Sequence, residues 1–405
     1  MKMINTEAWI LHMGPERPEP AILMKEDFSF PDITENEVLV EPIYGCWEGN
    51  MAHAVDRNPV DICRQRREAK IVIGNSGVVR ILRAGTSVKH LNAGDLGLFY
   101  PVGSTGPNGY MLKVAGYDAP GSIGLLAKQM KLCPDQILPL PVQTRHSLRQ
   151  WAAFGLRYLT AWSNWRVAYG AWRLQISREE VPDEQTFVWG WGGGVVLAEL
   201  ALAKSRGCQV FMISSQDNRL KLIQDMGITP VDRRLFSALD FDENKYRVDV
   251  AYKQHYQEAE KAFLAVVREY TSGRGASIFI DNIGSPVFRA TIKALGYQGV
   301  VTTAGWKKGM NLQFVRAIEC INRHVYVHTH GARYSECEAA ITFAEETGWI
   351  PPDTTEVYGW EDIPQLARDY SAGTTTSYFP LFQVNTHGSA SESDAKHERR
   401  STLAR

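Results

Sequence analysis

A regular alternation of apolar strands and amphipathic helices after residue 186 is the feature that most restricts the fold of this chain. The strand-like runs are TFVWGW, QVFMISS, VDVAY, ASIFIDNIG and GVVTTAG. Helix-like runs separate them, beginning with VVLAELALAKSRG and NRLKLIQDMG. Neighbouring parallel strands need a crossover connection, which is usually a helix. The pattern therefore predicts an α/β fold class with a parallel, doubly wound sheet.

A glycine run, VWGWGGGVV at residues 188–196, joins the first of these strands to the first helix. Glycines allow a tight turn there and let the backbone approach a diphosphate at the positive end of the helix. The spacing departs from plain G-x-G-x-x-G because residue 195 is valine. A helix-packing turn is the alternative interpretation, but the place between strand and helix favours a dinucleotide site. The predicted cofactor-binding residues of this turn are Gly190, Gly192, Gly193, Gly194 and Val195.

The end of the second strand indicates which dinucleotide binds. It carries Ser214 and Ser215, where an NAD site usually has an acidic residue for the ribose, and Arg219 follows. Hydroxyl groups and a guanidinium suit a 2′-phosphate. Arg233 is a further candidate for this phosphate, whereas Asp217 weakens the assignment and a solvated Arg219 is the alternative. We therefore expect NADPH as the cofactor.

The N-terminal third has a different pattern. EVLVEPIY at 37–44 alternates as a strand does, and IVIGNSGVVRIL at 71–82 is typical of a strand, a glycine turn and a second strand. Short strands separated by glycines predict a small barrel. A long apolar helix is expected over 147–169, and mixed structure over 325–384. The predicted domains are an N-terminal catalytic part at 1–150, a dinucleotide-binding domain at 151–325, a return to the catalytic domain at 326–385 and a disordered polar tail at 386–405.

Charge and hydropathy argue against several partners. The formal net charge is −1, so no global field recruits nucleic acid or an anionic membrane. No apolar run approaches the roughly 18 residues of a membrane span, and the N-terminus lacks the pattern of a signal peptide. The six cysteines are scattered without a C-x-x-C pair, which predicts reduced thiols. We expect a cytoplasmic protein whose partner is a small molecule.

Four segments, in this order, resemble the medium-chain dehydrogenase/reductase superfamily: EVLVEPIYG, GVVRILRAGTSVKHLNAGDLG, WGWGGGVVLAELALAKSRG and IFIDNIGSPVFRATIKALGYQGVVTTAG. Two others, FMISSQDNRLKLIQDMG with the following VDRRLF, and ECEAAITFAEETGWIPPDTTEVYGWEDIPQLARDY, are similar to its crotonyl-CoA carboxylase/reductase and quinone-reductase branch. The resemblance implies a GroES-like β-barrel domain, a Rossmann domain, an active site between them and a homodimer. It also implies that the residues near the nicotinamide half of the cofactor are Thr160, Asn282, Ile283, Ala304, Gly305, His330 and Gly331.

Zinc-dependent members of this superfamily carry a cysteine in the loop after the EVLVEPIYG segment and a Gly-His-Glu before the next strand. Here the loop reads GCWEGN, with Trp47 in the cysteine's place and Cys46 displaced by one, and the later segment reads IVIGNSG. Zinc needs about three protein ligands in one place, so we expect no metal. Cys46, Glu48 and His53 are close in sequence and form the alternative, a metal site. In a site without zinc, the natural reaction is hydride transfer to an activated double bond, for which the candidate catalytic residues are Glu48, Asn50 and His53.

The leading hypothesis is an NADPH-dependent, zinc-independent enoyl reductase acting on a thioester of CoA or of an acyl-carrier protein. The alternatives of the same fold are a quinone or carbonyl reductase and a reductive carboxylase of enoyl-CoA. An alternative of another class is an NADPH-binding protein without catalytic activity. The residues do not distinguish the acyl chain, the carrier or the stereochemistry.

Overall fold

The computed structural model describes residues 2–15, 19–305, 307–309, 311–354 and 356–386. The strands in these residues are β1 (Met3–His12), β2 (Ile22–Pro31), β3 (Val38–Cys46), β4 (Lys70–Ile71), β5 (Gly77–Ala84), β6 (Leu96–Phe99), β7 (Val102–Thr105), β8 (Met111–Val114), β9 (Met130–Leu132), β10 (Ile137–Pro139), β11 (Phe187–Trp191), β12 (Gln209–Ser214), β13 (Thr229–Asp232), β14 (Ala276–Asp281), β15 (Leu295–Thr303), β16 (Val325–His328), β17 (Val357–Tyr358) and β18 (Leu381–Gln383). The α-helices are α1 (Gly49–Asp56), α2 (Ile62–Arg66), α3 (Leu148–Gln175), α4 (Gly194–Ser205), α5 (Asp217–Asp225), α6 (Glu243–Val248), α7 (Val250–Tyr270), α8 (Ser285–Ala294), α9 (Arg316–Asn322), α10 (Tyr334–Thr347) and α11 (Ile363–Ala372).

A mainly antiparallel sheet with strands from both ends of the chain forms the first domain. Its order is β10-β6-β5-β3-β18-β17, and β9 also pairs with β3. A second sheet, β2-β1-β4, shares its hydrophobic core. Gly45 of β3 leaves room for the ring of Phe382, since a Cβ at this position would overlap it. The fold therefore has the GroES-like barrel that the resemblance implied.

A six-stranded parallel sheet forms the second domain, in the order β13-β12-β11-β14-β15-β16. Every neighbouring pair is parallel. Strands β11 and β14 are buried along their whole length, as expected for a sheet covered by helices on both faces. The α/β fold class and the doubly wound sheet predicted from the sequence are confirmed.

Helix α3 connects the two domains and bends at Gly155. This residue has a non-helical backbone, with φ −11° and ψ −114°. A Cβ there would lie 2.5 Å from Oγ of Ser76, which also accepts a hydrogen bond from the backbone N–H of Leu156 at 3.2 Å. The helix thus bends where it meets the turn before β5, and it continues six residues beyond the predicted end at 169.

The structure corrects the prediction of a strand at VDVAY. These residues end α6 and begin α7, with Asp249 between the two helices. The Asp249 carboxylate accepts a hydrogen bond from the backbone N–H of Tyr252 at 3.0 Å, as an N-cap does. Val248 and Val250 are 83% and 82% exposed, so the apolar alternation does not mark a buried face here. The edge strand of the sheet is β13 instead.

Two further expectations concern the C-terminal part of the chain. The domain boundary expected at residue 325 falls at the first residue of β16, which belongs to the parallel sheet, so the boundary lies later than expected. The expected disordered tail, apart from residue 386, lies outside the described residues. Within the residues that the structure describes, no helix has the length and apolar character needed to span a membrane.

Candidate functional site

The glycine turn lies between β11 and α4, in the middle of the parallel sheet. Gly192 has a φ of +149°, and a Cβ on it would lie 2.7 Å from Cγ2 of the buried Val196. Gly190 also has no room for a Cβ beside Val196. Gly193, by contrast, has nothing within 4 Å of its Cβ position. The turn is therefore packed on its inner side and open at the N-terminus of α4, where the backbone N–H groups lack helical partners.

A second turn at the end of β14 lies beside the glycine turn. The backbone N–H groups of Ile283 and Gly284 each donate to the buried carboxyl of Asp281 at 3.0 Å. The side-chain oxygen of Asn282 accepts from the backbone N–H of Ala304 at 2.9 Å, which ties the end of β14 to the end of β15. A cavity of about 230 Å³ adjoins this edge, with Gly284, Gly305 and His328 among its lining residues.

Ser214, at the end of β12, and Arg219, on α5, are covered by the segment before β18. Tyr378 forms a side-chain hydrogen bond with Ser214. Burial raises the pKa of the Tyr378 hydroxyl, and this hydrogen bond opposes the rise. The Arg219 guanidinium lies 4.9 Å from the centre of the Tyr378 ring and donates to the backbone oxygen of Thr375 at 2.8 Å. Burial lowers the pKa of Arg219. Ser215 is exposed.

Asp217, the residue that weakened the assignment of NADPH, is engaged elsewhere. Arg234 donates to its carboxylate at 2.6 Å and to that of Asp232 at 2.7 Å. The Asp217 side chain is 82% exposed. Its negative charge is therefore balanced by a surface guanidinium.

Lys307, just after β15, adds a positive charge to this edge. The residue is exposed, but partial desolvation by the surrounding protein lowers the pKa of its ammonium, and repulsion by Arg219, Lys308 and Arg233 lowers it further. Arg233 also donates to the backbone oxygen of Leu239 at 3.1 Å. Mutual repulsion among cations is relieved when an anion binds between them. This edge of the sheet is thus suited to a phosphate.

The loop that carries Glu48 closes onto helix α3 through Arg157. Nη1 of Arg157 lies 2.8 Å from Oε1 of Glu48 and 2.6 Å from Sγ of Cys46, and Nη2 donates to the backbone oxygen of Trp47 at 2.7 Å. Burial raises the pKa of the Glu48 carboxyl, while the guanidinium opposes that rise. Burial raises the pKa of the Cys46 thiol to about 12.

Asn50 and His53 lie on α1, directly after this loop, and both are half-buried. Burial lowers the pKa of His53, and the nearby Asp56 opposes the shift. A Cβ on Gly49, the first residue of α1, would lie 3.9 Å from the Tyr370 hydroxyl. These residues face the C-terminal part of the first domain.

The sequence-predicted site residues fall into two groups. The glycine turn, Ser214, Arg219 and the Asn282 and Ala304 turns share the carboxyl edge of the parallel sheet, whereas Glu48, Asn50 and His53 belong to the first domain. Thr160 is buried within α3, and His330 is exposed after the end of β16. Gly331 has a φ of +75°, close to Met111 of the first domain.

Arg157 connects the two groups, although the sequence analysis did not single it out. A Cβ on Gly194 would lie 2.9 Å from Cδ of Arg157 and 2.5 Å from the ring of Phe379. The same residue holds Glu48, so a single side chain spans from the glycine turn to the loop Cys46–Glu48. The signal available in the sequence was a lone arginine inside the apolar run AAFGLRYLTAW.

A metal site at Cys46, Glu48 and His53 was the alternative that the sequence left open. Among the described residues, no three His, Cys, Asp or Glu side chains come together as metal ligands. Cys46 and Glu48 do converge, but on the guanidinium of Arg157. The residues present therefore do not fit a bound zinc ion.

A parallel sheet with a glycine turn at its centre, joined to a small antiparallel barrel, defines a two-domain dinucleotide-binding fold. Residues 194–346 match the family described as zinc-binding dehydrogenase. The crotonyl-CoA carboxylase/reductase AntE, in complex with NADP, is 19% identical, with 95% of each chain covered and a TM-score of 0.76. The 2-octenoyl-CoA carboxylase reductase CinF of Streptomyces sp., in complex with NADP and 2-octenoyl-CoA, is 17% identical over 98% of this chain and 92% of its own, with a TM-score of 0.76. An NAD-dependent alcohol dehydrogenase is 19% identical over 94% of this chain and 100% of its own, with a TM-score of 0.72.

These similarities extend over both domains and agree with the resemblance drawn from the sequence. The chain thus has the two-domain fold of these reductases and dehydrogenases.

Proposed function

We propose that this protein is an NADPH-dependent oxidoreductase that reduces an activated carbon–carbon double bond, with an enoyl thioester of CoA or of a carrier protein as its substrate. One observation carries the proposal: an open glycine turn and a strand end with hydroxyl and guanidinium groups share one edge of the parallel sheet. AntE and CinF, whose fold this chain shares, bind NADP, and CinF also binds 2-octenoyl-CoA.

The residues at this edge fit NADPH better than NADH. The turn at Gly193 leaves space for a diphosphate beside the N-terminus of α4. Ser214, Arg219 and Lys307 supply a hydroxyl group and two positive charges for a 2′-phosphate. The one carboxylate close to the end of β12 in sequence, Asp217, is paired with Arg234. Recognition of the 2′-phosphate is thus the basis of the proposed cofactor preference.

The reaction needs a hydride for one carbon of the double bond and a proton for the other. Bound at this edge, NADPH supplies the hydride. Negative charge then develops on the substrate's carbonyl oxygen, where a hydrogen-bond donor stabilises it. We assign Asn50 to this oxygen and His53 to the delivery of the proton. Glu48, which is held by Arg157, fixes the loop in front of α1.

Rapid-mixing absorbance measurements at the NADPH band test the proposal with a panel of enoyl-CoA and enoyl-carrier-protein substrates. We expect NADPH oxidation that depends on the thioester. His53→Gln should slow this oxidation about tenfold or more. His255→Gln is the matched control, because His255 lies exposed on α7, away from the loop. Absence of oxidation with every thioester would overturn the proposal.

Other outcomes identify the alternatives by their products. NADPH oxidation with quinones or small conjugated ketones, and with no thioester, would indicate a quinone or carbonyl reductase. A product heavier by one carboxyl group in the presence of bicarbonate would indicate reductive carboxylation. Tight NADPH binding without turnover of any substrate would indicate a protein that binds the cofactor without catalysing a reaction.

A further inference from the structure

The side chain of Arg157 is a buried charge in an otherwise apolar part of α3. The residue is 5% exposed, and its neighbours Phe154, Tyr158 and Ala161 are core residues. A buried charge is costly unless its hydrogen-bonding groups are satisfied. Burial opposes the charge of Arg157, but Cys46 and Glu48 raise its pKa above the ordinary value. The arginine is therefore kept charged by the groups around it.

Those groups are arranged as the ligands of a cation would be. The Cys46 thiol and the Glu48 carboxylate converge on one nitrogen, Nη1, at 2.6 and 2.8 Å. The backbone oxygen of Trp47 binds the other nitrogen, Nη2, at 2.7 Å. The Tyr370 hydroxyl is also hydrogen-bonded to the guanidinium. Sulfur and carboxylate ligands around a single positive centre resemble a zinc site in composition, but the positive centre here belongs to the protein.

We propose that the Arg157 guanidinium is the built-in cation of this site and holds the loop Cys46–Glu48 against the glycine turn. Arg157 is then a positioning residue, since its contacts are with protein groups rather than with the reacting atoms. The planar guanidinium presents several N–H donors in fixed directions. A single ammonium or a neutral side chain does not reproduce this set of contacts.

Arg157 also contacts the glycine turn, where we propose that the cofactor's diphosphate binds. Cδ of Arg157 fills the space beside Gly194, and the Phe379 ring closes the same space from another side. The guanidinium itself lies 5.8 Å from the centre of that ring. Loss of the side chain would therefore loosen both the loop Cys46–Glu48 and the first residue of α4, on which the proposed diphosphate contact depends.

Chemical rescue tests the proposal. Arg157→Ala leaves a hole of guanidinium size, and we expect a lower Tm and NADPH affinity reduced about tenfold or more. Millimolar methylguanidinium should restore a large part of both, whereas methylammonium at the same concentration should not, and Arg157→Lys should remain impaired. Arg166→Ala is the control, because Arg166 lies on the same helix with its side chain 54% exposed and 3.8 Å from Glu336. A folded Arg157→Ala protein that methylguanidinium does not rescue, or an Arg157→Lys protein that behaves as the native one, would overturn the proposal.

A double variant keeps the test informative if Arg157→Ala does not fold. Glu48→Gln with Arg157→Met removes both buried charges, so no unpaired carboxylate is left. We expect this protein to fold and, given the proposed function, to lose kcat about tenfold with little change in the KM for the thioester. Native kcat in the folded double variant would contradict the positioning role, as would stoichiometric zinc bound at Cys46 in the native protein. The Tm and its rescue by methylguanidinium need neither substrate nor cofactor, so they stand even if the proposed function fails.

Discussion

Substitution of the glycines in the turn separates its packing from its ligand contact. Gly192→Ala places a side chain at a φ of +149°, which costs of the order of 1–3 kcal/mol. It also places the new Cβ 2.7 Å from Cγ2 of Val196, a fully buried β-branched residue that cannot easily change rotamer. Overpacking of this kind adds roughly 1–3 kcal/mol. We therefore expect the free energy of unfolding to fall by about 2–6 kcal/mol.

Gly193→Ala should act differently, because no atom lies within 4 Å of its Cβ position and its φ is −109°. The loss of stability should stay at about 1 kcal/mol, the usual difference between alanine and glycine at an N-cap. The added methyl group nevertheless occupies the open side of the turn. If a diphosphate binds there, NADPH affinity should fall about tenfold or more, which corresponds to roughly 1.4 kcal/mol.

Scanning calorimetry and NADPH titration calorimetry on both variants measure these two effects. Gly170→Ala is the matched control, since Gly170 is exposed on α3 with nothing within 4 Å, and alanine there should stabilise the helix by about 1 kcal/mol. Native NADPH affinity in Gly193→Ala would refute the assignment of the turn as the diphosphate site. An unchanged Tm in Gly192→Ala would refute the packing argument.

Three further predictions follow from buried and capping groups. Burial raises the pKa of Glu199 from 4.5 to about 8. The contribution of Glu199 to the free energy of unfolding is therefore complete below pH 4.5 and is lost as the pH rises to about 8. Glu199→Gln should remove this loss, at most about 4–5 kcal/mol, from the difference in unfolding free energy between pH 5 and pH 8, and an unchanged difference would refute the role of Glu199. Burial lowers the pKa of His53 below 6.5, so a proton supplied by its imidazolium becomes scarce as the pH rises from 6 to 8; kcat should fall over this range, and the fall should be absent in His53→Gln. Asp249→Ala removes the cap of α7 and should cost about 0.5–2 kcal/mol in urea unfolding, whereas no change would show that the cap contributes nothing.

The sequence predicted the parallel sheet well because its evidence is local. The runs that form β11, β12 and β14 are apolar, short and followed by helices, so each element can be recognised alone. The strand predicted at VDVAY was wrong because an apolar alternation of five residues also fits the junction of two helices. The burial that distinguishes the two cases depends on distant parts of the chain.

The candidate site was only partly predictable for the same reason. The glycine turn and Arg219 lie near strand ends, where the sequence shows them. Arg157, however, binds Glu48 across 109 positions, and Tyr378 reaches Ser214 from the far end of the chain. Contacts between residues so far apart in the chain leave no periodic pattern in the sequence. The homodimer and the cytoplasmic location stay predictions.

Titration calorimetry with NADPH and with NADH tests the central claim most directly, that this edge of the sheet grips a dinucleotide through its diphosphate and 2′-phosphate. We expect NADPH to bind at least about tenfold more tightly than NADH, and Arg219→Met to remove most of that difference while leaving NADH binding unchanged. An absence of heat with both dinucleotides, or equal affinity for the two in the native protein, would contradict the account.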